Sequence, residues 1–312
     1  MPSFREFSFS SSNGADKLYA CKCLPDTEAK AIIQIAHGVC DHIARYGEFM
    51  DFLAANGYIV AGNDHLGHGK NIKDESSKGY FADENGWDYV VSDIDSLRDI
   101  LCAEHPNIPY ILFGHSMGSF LARSYAIKYP DKYSALILSG TGHMPAAMIN
   151  AGYALSQAAV KKSGTKKEGH LLNKIAFGSY NNRIENPRTE FDWISSCADE
   201  VDKYIADPCC GFVCKTSLYR DMMAGIRFIT KQSNINKMNK QPPVLFFAGK
   251  DDPVGEYGAG VERAYKAFCK AGIRDIFMKL YPGGRHEMLN EVNKAQVYED
   301  ILQWIEMRLP TL

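Results

Sequence analysis

"YILFGHSMGSF", residues 110–120, decides how the whole chain is read. Tyr110 to Phe113 form a short apolar run. Gly114-His115-Ser116-Met117-Gly118 follows, and from Met117 to Pro130 apolar residues recur at helical spacing. A buried strand, a sharp turn and a helix are therefore predicted in succession. A serine at the apex of such a turn projects its hydroxyl beyond the carboxyl end of the strand. The turn leaves little room beside it, so Gly114 and Gly118 stand where larger side chains would collide. Met117 opens the helix, and its N–H has no carbonyl partner inside that helix. G-x-S-x-G between a strand and a helix is the nucleophile-elbow arrangement.

The same alternation extends outward. "AIIQIA" (31–36), "YIVAG" (58–62), "ALILS" (135–139), "VLFFAG" (244–249) and "DIFMKLY" (275–281) are short apolar runs that suit strands buried on both faces. Helical periodicity fills 44–57, 87–106, 117–130, 257–272 and 294–309. Strand and helix in repetition imply right-handed crossovers and a mostly parallel sheet with helices on both faces. Segments 3–10 and 16–23 read as an antiparallel hairpin at one edge, which brings the expected sheet to eight strands in an α/β fold. The rhythm fails between 141 and 235, where 144–160 and 217–232 read as amphipathic helices. A structureless loop of that length is improbable inside one domain. The expected organisation is a core in two parts, 1–140 and 236–312, with a mainly helical insertion at 141–235.

Composition narrows the function. A hydrophobic fraction of 46% supplies a sizeable core, and a formal net charge of −2 without a basic stripe argues against nucleic acid or an anionic membrane as partner. "MPSFREFSFS" lacks the apolar region of a secretory signal, and no apolar run approaches the roughly 18 residues of a spanning helix. The nine cysteines are odd in number and lack zinc-ligand spacing. They read as reduced thiols in a cytoplasmic protein. No metal or organic cofactor is expected, because no G-x-G-x-x-G follows a strand and no ligand cluster is visible.

A serine hydroxyl is a poor nucleophile at neutral pH and needs a base oriented by an acid. On a nucleophile-elbow sheet the order is serine, acid, histidine, each after a later strand. "KDDPVG" follows 244–249 and supplies Asp251 and Asp252; "GGRHEMLNE" follows 275–281 and supplies His286. His143 also follows a strand, but it precedes the acid and reads as a polar residue where the insertion begins. Pro253 biases Asp252 toward an extended backbone, a rigid corner from which a carboxylate reaches the histidine. Asp251 is expected to face solvent. The expected catalytic residues are Ser116, Asp252 and His286. Two N–H donors should meet the charge that develops on a carbonyl oxygen: that of Met117, and that of Val39 in "HGVCDH" after the 31–36 strand.

On "HGVCDHIARY", "DHLGHGKN" (64–71), "GHSMGS" (114–119), "KDDPVG" and "GGRHEMLNE", the chain resembles the α/β-hydrolase superfamily, and within it the monoacylglycerol lipase and lysophospholipase group with its serine aminopeptidase S33-type relatives. The resemblance covers both halves of the core. It implies the same triad, gives Asp64, Gly67 and Gly69 to a structural loop, and makes the insertion a cap over an acyl pocket. Ser119 departs from the glycine usual there, but it keeps a small residue.

The leading expectation is a serine carboxylesterase or lipase that hydrolyses lipid-like carboxylic esters, a monoacylglycerol or a lysophospholipid, through an acyl-enzyme on Ser116. Met144, Met148, Phe177, Met222, Met223 and Phe228 are candidate lining for the acyl chain. Two alternatives stand beside it. An aminopeptidase would need acidic groups in the insertion to hold an α-ammonium, and Glu185, Glu190, Asp192, Asp199, Glu200 and Asp202 are available. A binding protein reusing the fold would not require serine, acid and base together.

Overall fold

Hydrophobic runs and helical stretches alternate in the computed structural model as they do along the chain, and the model describes residues 2–311. Strands β1 (Ser3–Ser10) and β2 (Lys17–Leu24) form the expected hairpin. Then come β3 (Ile32–Ala36), α1 (Gly47–Ala55), β4 (Ile59–Asn63), α2 (Gly86–Glu104), β5 (Tyr110–His115), α3 (Met117–Lys128) and β6 (Ala135–Ser139). Five helices follow before the next strand: α4 (Ala146–Ser163), α5 (His170–Phe177), α6 (Ala198–Ala206), α7 (Thr216–Ile229) and α8 (Gln232–Ile235). The chain closes with β7 (Val244–Gly249), α9 (Ala259–Lys270), β8 (Ile276–Tyr281) and α10 (Lys294–Glu306).

The eight strands make one sheet in the order β1-β2-β4-β3-β5-β6-β7-β8, and only β2 runs against the others. Strands β3 to β7 are wholly buried because helices cover both faces. Side chains alternate accordingly. Ile111 and Phe113 of β5 enter the core beneath α1 and α10, while Tyr110 and Leu112 enter the one beneath α2, α3 and α9. Strand β8 departs from the expectation of burial on both faces. It is the terminal strand, and Phe277 is 48% exposed. Its apolar composition matches that of a central strand, but its position leaves one side open to solvent.

The helices between β6 and β7 are held mainly by α7. That helix carries Leu218, Met222, Ile226 and Ile229 into the main core, packs on α2 and α3, and carries α4 on its other side. The short helices α5 and α6 were not readable from periodicity, because each is only two to three turns of chain flanked by loops. No helix among the described residues is long and apolar enough to cross a membrane.

Arg123 of α3 joins the two ends of this helical segment. It is completely buried. Its guanidinium donates to the carbonyl of Gly142 (2.7 Å), just after β6, and to that of Ile229 (3.3 Å), at the end of α7. Burial pulls the group down to about 9, so it stays charged at neutral pH and needs these carbonyls. Arg123→Ala removes the donor to both and leaves a cavity. Urea unfolding should show a loss of about 3 kcal/mol or more; a change under about 0.5 kcal/mol, the size usual for an exposed site, would contradict this role.

Candidate active site

The register of the sheet brings five chain segments to one edge. Ala36 pairs with Gly114, Gly114 with Leu138, His115 with Ser139, and Gly249 with Tyr281, so the loops after β3, β5, β6, β7 and β8 leave from neighbouring points. Ligand sites of open α/β sheets lie at this edge.

At the apex after β5, Ser116 has φ 54° and ψ −121°, a backbone conformation that L-residues seldom adopt. Its neighbours hold it there. Ser116 N–H donates to Ser139 O (2.9 Å), and Ser116 O accepts from the Ser119 N–H (2.9 Å) and the Ser119 hydroxyl (2.6 Å). Ser119 thus caps the elbow's own carbonyl. The flanking glycines are required by contact. A Cβ on Gly118 would stand 2.0 Å from the Ala36 carbonyl oxygen, and one on Gly114 would stand 2.3 Å from the Gly118 carbonyl oxygen. Strand β3, strand β5 and helix α3 therefore meet at van der Waals distance beneath the serine.

Asp252 is completely buried, and both its carboxylate oxygens lie 3.0 Å from His286 Nδ1. The Val254 N–H donates to Asp252 Oδ1 (2.9 Å), which fixes the carboxylate beyond Pro253. Asp251 is exposed. Burial disfavours the charged His286 ring, but the Asp252 carboxylate outweighs it by charge and hydrogen bond and holds the imidazole above its ordinary value. His115 stands 4.8 Å from His286, ring to ring. Burial and the neighbouring imidazole pull His115 down to about 4, so it stays neutral. Its Nδ1 pairs with Ser139 Oγ (3.1 Å).

The loop after β3 carries Val39 toward Ser116. Among the described residues, neither the Val39 nor the Met117 N–H donates a hydrogen bond within the protein. The loop is set by Asp41, whose carboxylate accepts from the Gly38 N–H (3.2 Å), the Tyr46 hydroxyl (2.8 Å) and Arg45 (3.0 Å). Arg45 also grips Glu287, next to His286, through two bonds of 2.8 and 2.7 Å. One guanidinium thus joins the Val39 loop to the His286 loop. Burial opposes ionisation of Asp41 and Glu287, but Arg45 prevails and keeps both carboxyls below their ordinary range. Nothing local in the sequence pairs the members of this network, because residues 41–46 and 287 are brought together only by the sheet.

A cavity of about 370 Å3 opens over Ser116, between the sheet edge and the inserted helices. Ser116, Met117, Val39 and His286 line its floor; Met144, Met148, Phe177, Met222 and Met223 line its walls. Phe228 does not. It lies two residues beyond Ile226 on α7, which turns it roughly 200° away at 100° per residue, into a separate surface hollow with Lys128 and Tyr153. Trp193 was not singled out from the sequence. It stands 5.2 Å from His286, ring to ring, and the backbone after it is tied down by Glu287 N–H donating to Ile194 O (2.7 Å). Nothing in the local pattern of "EFDWISS" signals that position.

None of Glu185, Glu190, Asp192, Asp199, Glu200 or Asp202 lines the cavity. Asp192 accepts from the Thr189 hydroxyl, Asp202 pairs with Arg188, and Glu200 pairs with Lys203. His143 lies at the start of the inserted segment, where its carbonyl accepts from Arg263 (2.7 Å). Asp64 accepts from the Ile43 and Lys70 N–H groups, so the loop around Gly67 and Gly69 braces the segment that follows Asp41.

The family described as "Serine aminopeptidase, S33" matches residues 27–293. A monoacylglycerol lipase of Mycolicibacterium smegmatis is 29% identical over 91% of each chain, and the human monoglyceride lipase is 24% identical over 92% of this chain and 86% of its own. A highly thermostable carboxyl esterase from Bacillus coagulans, solved in complex with glycerol, superposes with a TM-score of 0.92 at 31% identity, covering 98% of this chain and 99% of that one.

The Arg45 network sets a testable acid response. Asp41 and Glu287 have carboxyls depressed by folding, so they bind fewer protons folded than unfolded. Their contribution is complete above the unfolded carboxylate range and is lost as pH falls through the folded values. Glu287→Gln leaves Arg45 with one carboxylate in place of two. Unfolding free energy at pH 7 should fall by about 3 kcal/mol, and its decline toward pH 3 should be shallower than in the wild type. Equal stability of the two proteins across that range would contradict the network's role.

Proposed function

We propose, for a chain that belongs to the serine aminopeptidase S33 family of α/β-hydrolases, that Ser116 is the nucleophile of an esterase taking monoacylglycerol-like substrates. The chain is a hydrolase of ester bonds, in keeping with the lipases and the carboxyl esterase it resembles. The observation that carries the finer reading is the strained Ser116 at the floor of an apolar cavity that also exposes His286, itself bound to buried Asp252.

In this reading neutral His286 takes the Ser116 proton as the hydroxyl attacks the ester carbonyl. Asp252 keeps Nδ1 protonated and stabilises the imidazolium that results. The Val39 and Met117 N–H groups receive the oxyanion, since neither is spent on the protein itself. The imidazolium then protonates the leaving glycerol oxygen. Water, deprotonated by the same ring, releases the fatty acid from Ser116. The inserted helices act as a cap whose methionines and Phe177 enclose the acyl chain.

Charge at the cavity favours a neutral head group. No lysine or arginine lines it among the described residues, whereas Asp41, Glu256 and Glu287 do. A lysophospholipid phosphate would find no lysine or arginine lining the cavity. The same carboxylates do not favour an aminopeptidase, because each already faces an arginine: Asp41 and Glu287 share Arg45, and Glu256 pairs with Arg263. The intact serine, acid and base also disfavour a purely binding role.

Side-by-side assays of a monoacylglycerol, a lysophosphatidylcholine and an aminoacyl arylamide test this. The monoacylglycerol should be hydrolysed fastest, and Ser116→Ala should lower its kcat by roughly a millionfold, as in well-studied triads. Preference for the arylamide, or near-normal hydrolysis by the variant, would overturn the reading.

The Asp252–His286 pair predicts a pH profile. Only neutral His286 accepts the serine proton, so kcat/KM should rise with pH through an apparent value above that of an ordinary imidazole. Asp252→Asn removes the charge that raises it. The acid limb should move to lower pH while kcat falls by as much as about ten-thousandfold. Asp251→Asn should change neither. If Asp251→Asn were the impaired enzyme, the acid assignment would be wrong by one residue.

A further inference from the structure

Behind the Val39 loop, three side chains from distant parts of the sequence converge. His42 Nε2, Asp207 Oδ2 and Cys210 Sγ all lie within 4.8 Å of one another, and His42 Nε2 is 2.8 Å from Asp207 Oδ2. His42 follows the loop that carries Val39, while Asp207 and Cys210 belong to the turn after α6. We propose that this trio is a binding site for a thiophilic divalent cation of the zinc class, bridging the Val39 loop and the inserted helices.

The donor set suits that class of ion. An imidazole nitrogen, a thiolate sulfur and a carboxylate oxygen form a mixed set that zinc accepts, whereas the nitrogen and sulfur do not suit magnesium or calcium, which take oxygen ligands. Ligands of a tetrahedral ion at about 2.0–2.3 Å stand roughly 3.3–3.8 Å apart; the 2.8 Å between His42 and Asp207 would open slightly, and no separation in the trio exceeds 4.8 Å. Three protein ligands leave the fourth position to water.

The backbone around the trio is already arranged. The Cys209 N–H donates to Asp207 Oδ1 (2.8 Å), which turns Oδ2 toward His42. The Cys210 N–H closes the turn on Asp207 O (3.0 Å). The two loops are joined through one carbonyl: Cys40 O accepts from the Gly211 N–H (3.3 Å) and the Tyr204 hydroxyl (3.0 Å). Ligands held on mutually fixed segments lose little freedom on binding a metal. All nine cysteines are free thiols, so Cys210 is available. On binding, the Cys210 S–H proton leaves to water and the sulfur takes the metal, while His42 binds through a bare Nε2 as the neutral imidazole whose ring proton sits on Nδ1. The spacing of residues 42, 207 and 210 resembles no zinc motif, which is why cysteine counting led to the expectation of no metal.

The test uses the whole protein, treated with chelator and then titrated. Zinc should bind at one equivalent per chain by calorimetry. Cobalt(II) as a probe should give a sulfur-to-metal charge-transfer absorption in the wild type and in Cys209→Ser. Cys210→Ser should lose that absorption, and His42→Ala should weaken zinc binding at least tenfold, with folding of each checked by circular dichroism. Should Cys210→Ser fail to fold, His42→Ala and Asp207→Asn decide the matter by their zinc affinity. The absence of saturable zinc binding to the wild type would overturn the proposal. So would a cobalt spectrum unchanged in Cys210→Ser, or zinc affinity unchanged in both His42→Ala and Asp207→Asn.

Discussion

The approach of helix α3 to strands β3 and β5 is the constraint on which the site depends. With a methyl group on Gly118 colliding at 2.0 Å with the Ala36 carbonyl, the helix start can sit over the sheet only if that residue is glycine. The close approach forces the chain through Ser116 at φ 54°, with its carbonyl secured by Ser119 and its N–H by Ser139. A residue in that conformation is stable only when its surroundings over-determine it. What the strain obtains is direction: the Ser116 side chain stands clear of the strand end, beside the Val39 and Met117 N–H groups.

Around that fixed point the other groups are held by charge. Asp252 is completely buried and faces one imidazole. Arg45 couples the Val39 loop to the residue after His286, so two loops that must keep register with Ser116 also keep register with each other. Such a buried network is specific because leaving any member unpaired is costly. The inserted helices are coupled to the same frame by Arg123 at their root and by Arg285, which donates to the carbonyls of Asp192 (2.6 Å) and Ser195 (3.0 Å). The roof of the cavity is therefore referenced to the floor that carries Ser116 and His286, while its walls include several methionines, which are flexible and adaptable side chains.

Much of this was legible locally. The apolar runs of β3 to β7, the hairpin and the glycine–serine–glycine turn are short-range patterns, and Asp252 and His286, which lie 3.0 Å apart, each follow a strand. What escaped depended on distance in the sequence. Strand β8 has a core-like composition but an edge position, which only strand order reveals. Phe228 shares a helix with Met222 and Met223 but faces another way, because the apolar stripe of α7 spans more than one contact surface. Arg45 and Glu287 are surface-type residues by composition; their pairing exists only after the loops after β3 and β8 meet. Trp193 sits in a stretch with no regular period, so nothing marked it as the ring over His286.

Covalent capture tests most directly whether Ser116 is the activated nucleophile of the chain. The purified protein would be treated with a fluorophosphonate ester, digested, and mapped by mass spectrometry. One phosphonyl group per chain on the peptide containing Ser116, absent after denaturation before treatment and absent in His286→Ala, is the predicted result. A folded protein that takes up no label, or carries it on another residue with Ser116 unmodified, would contradict the account.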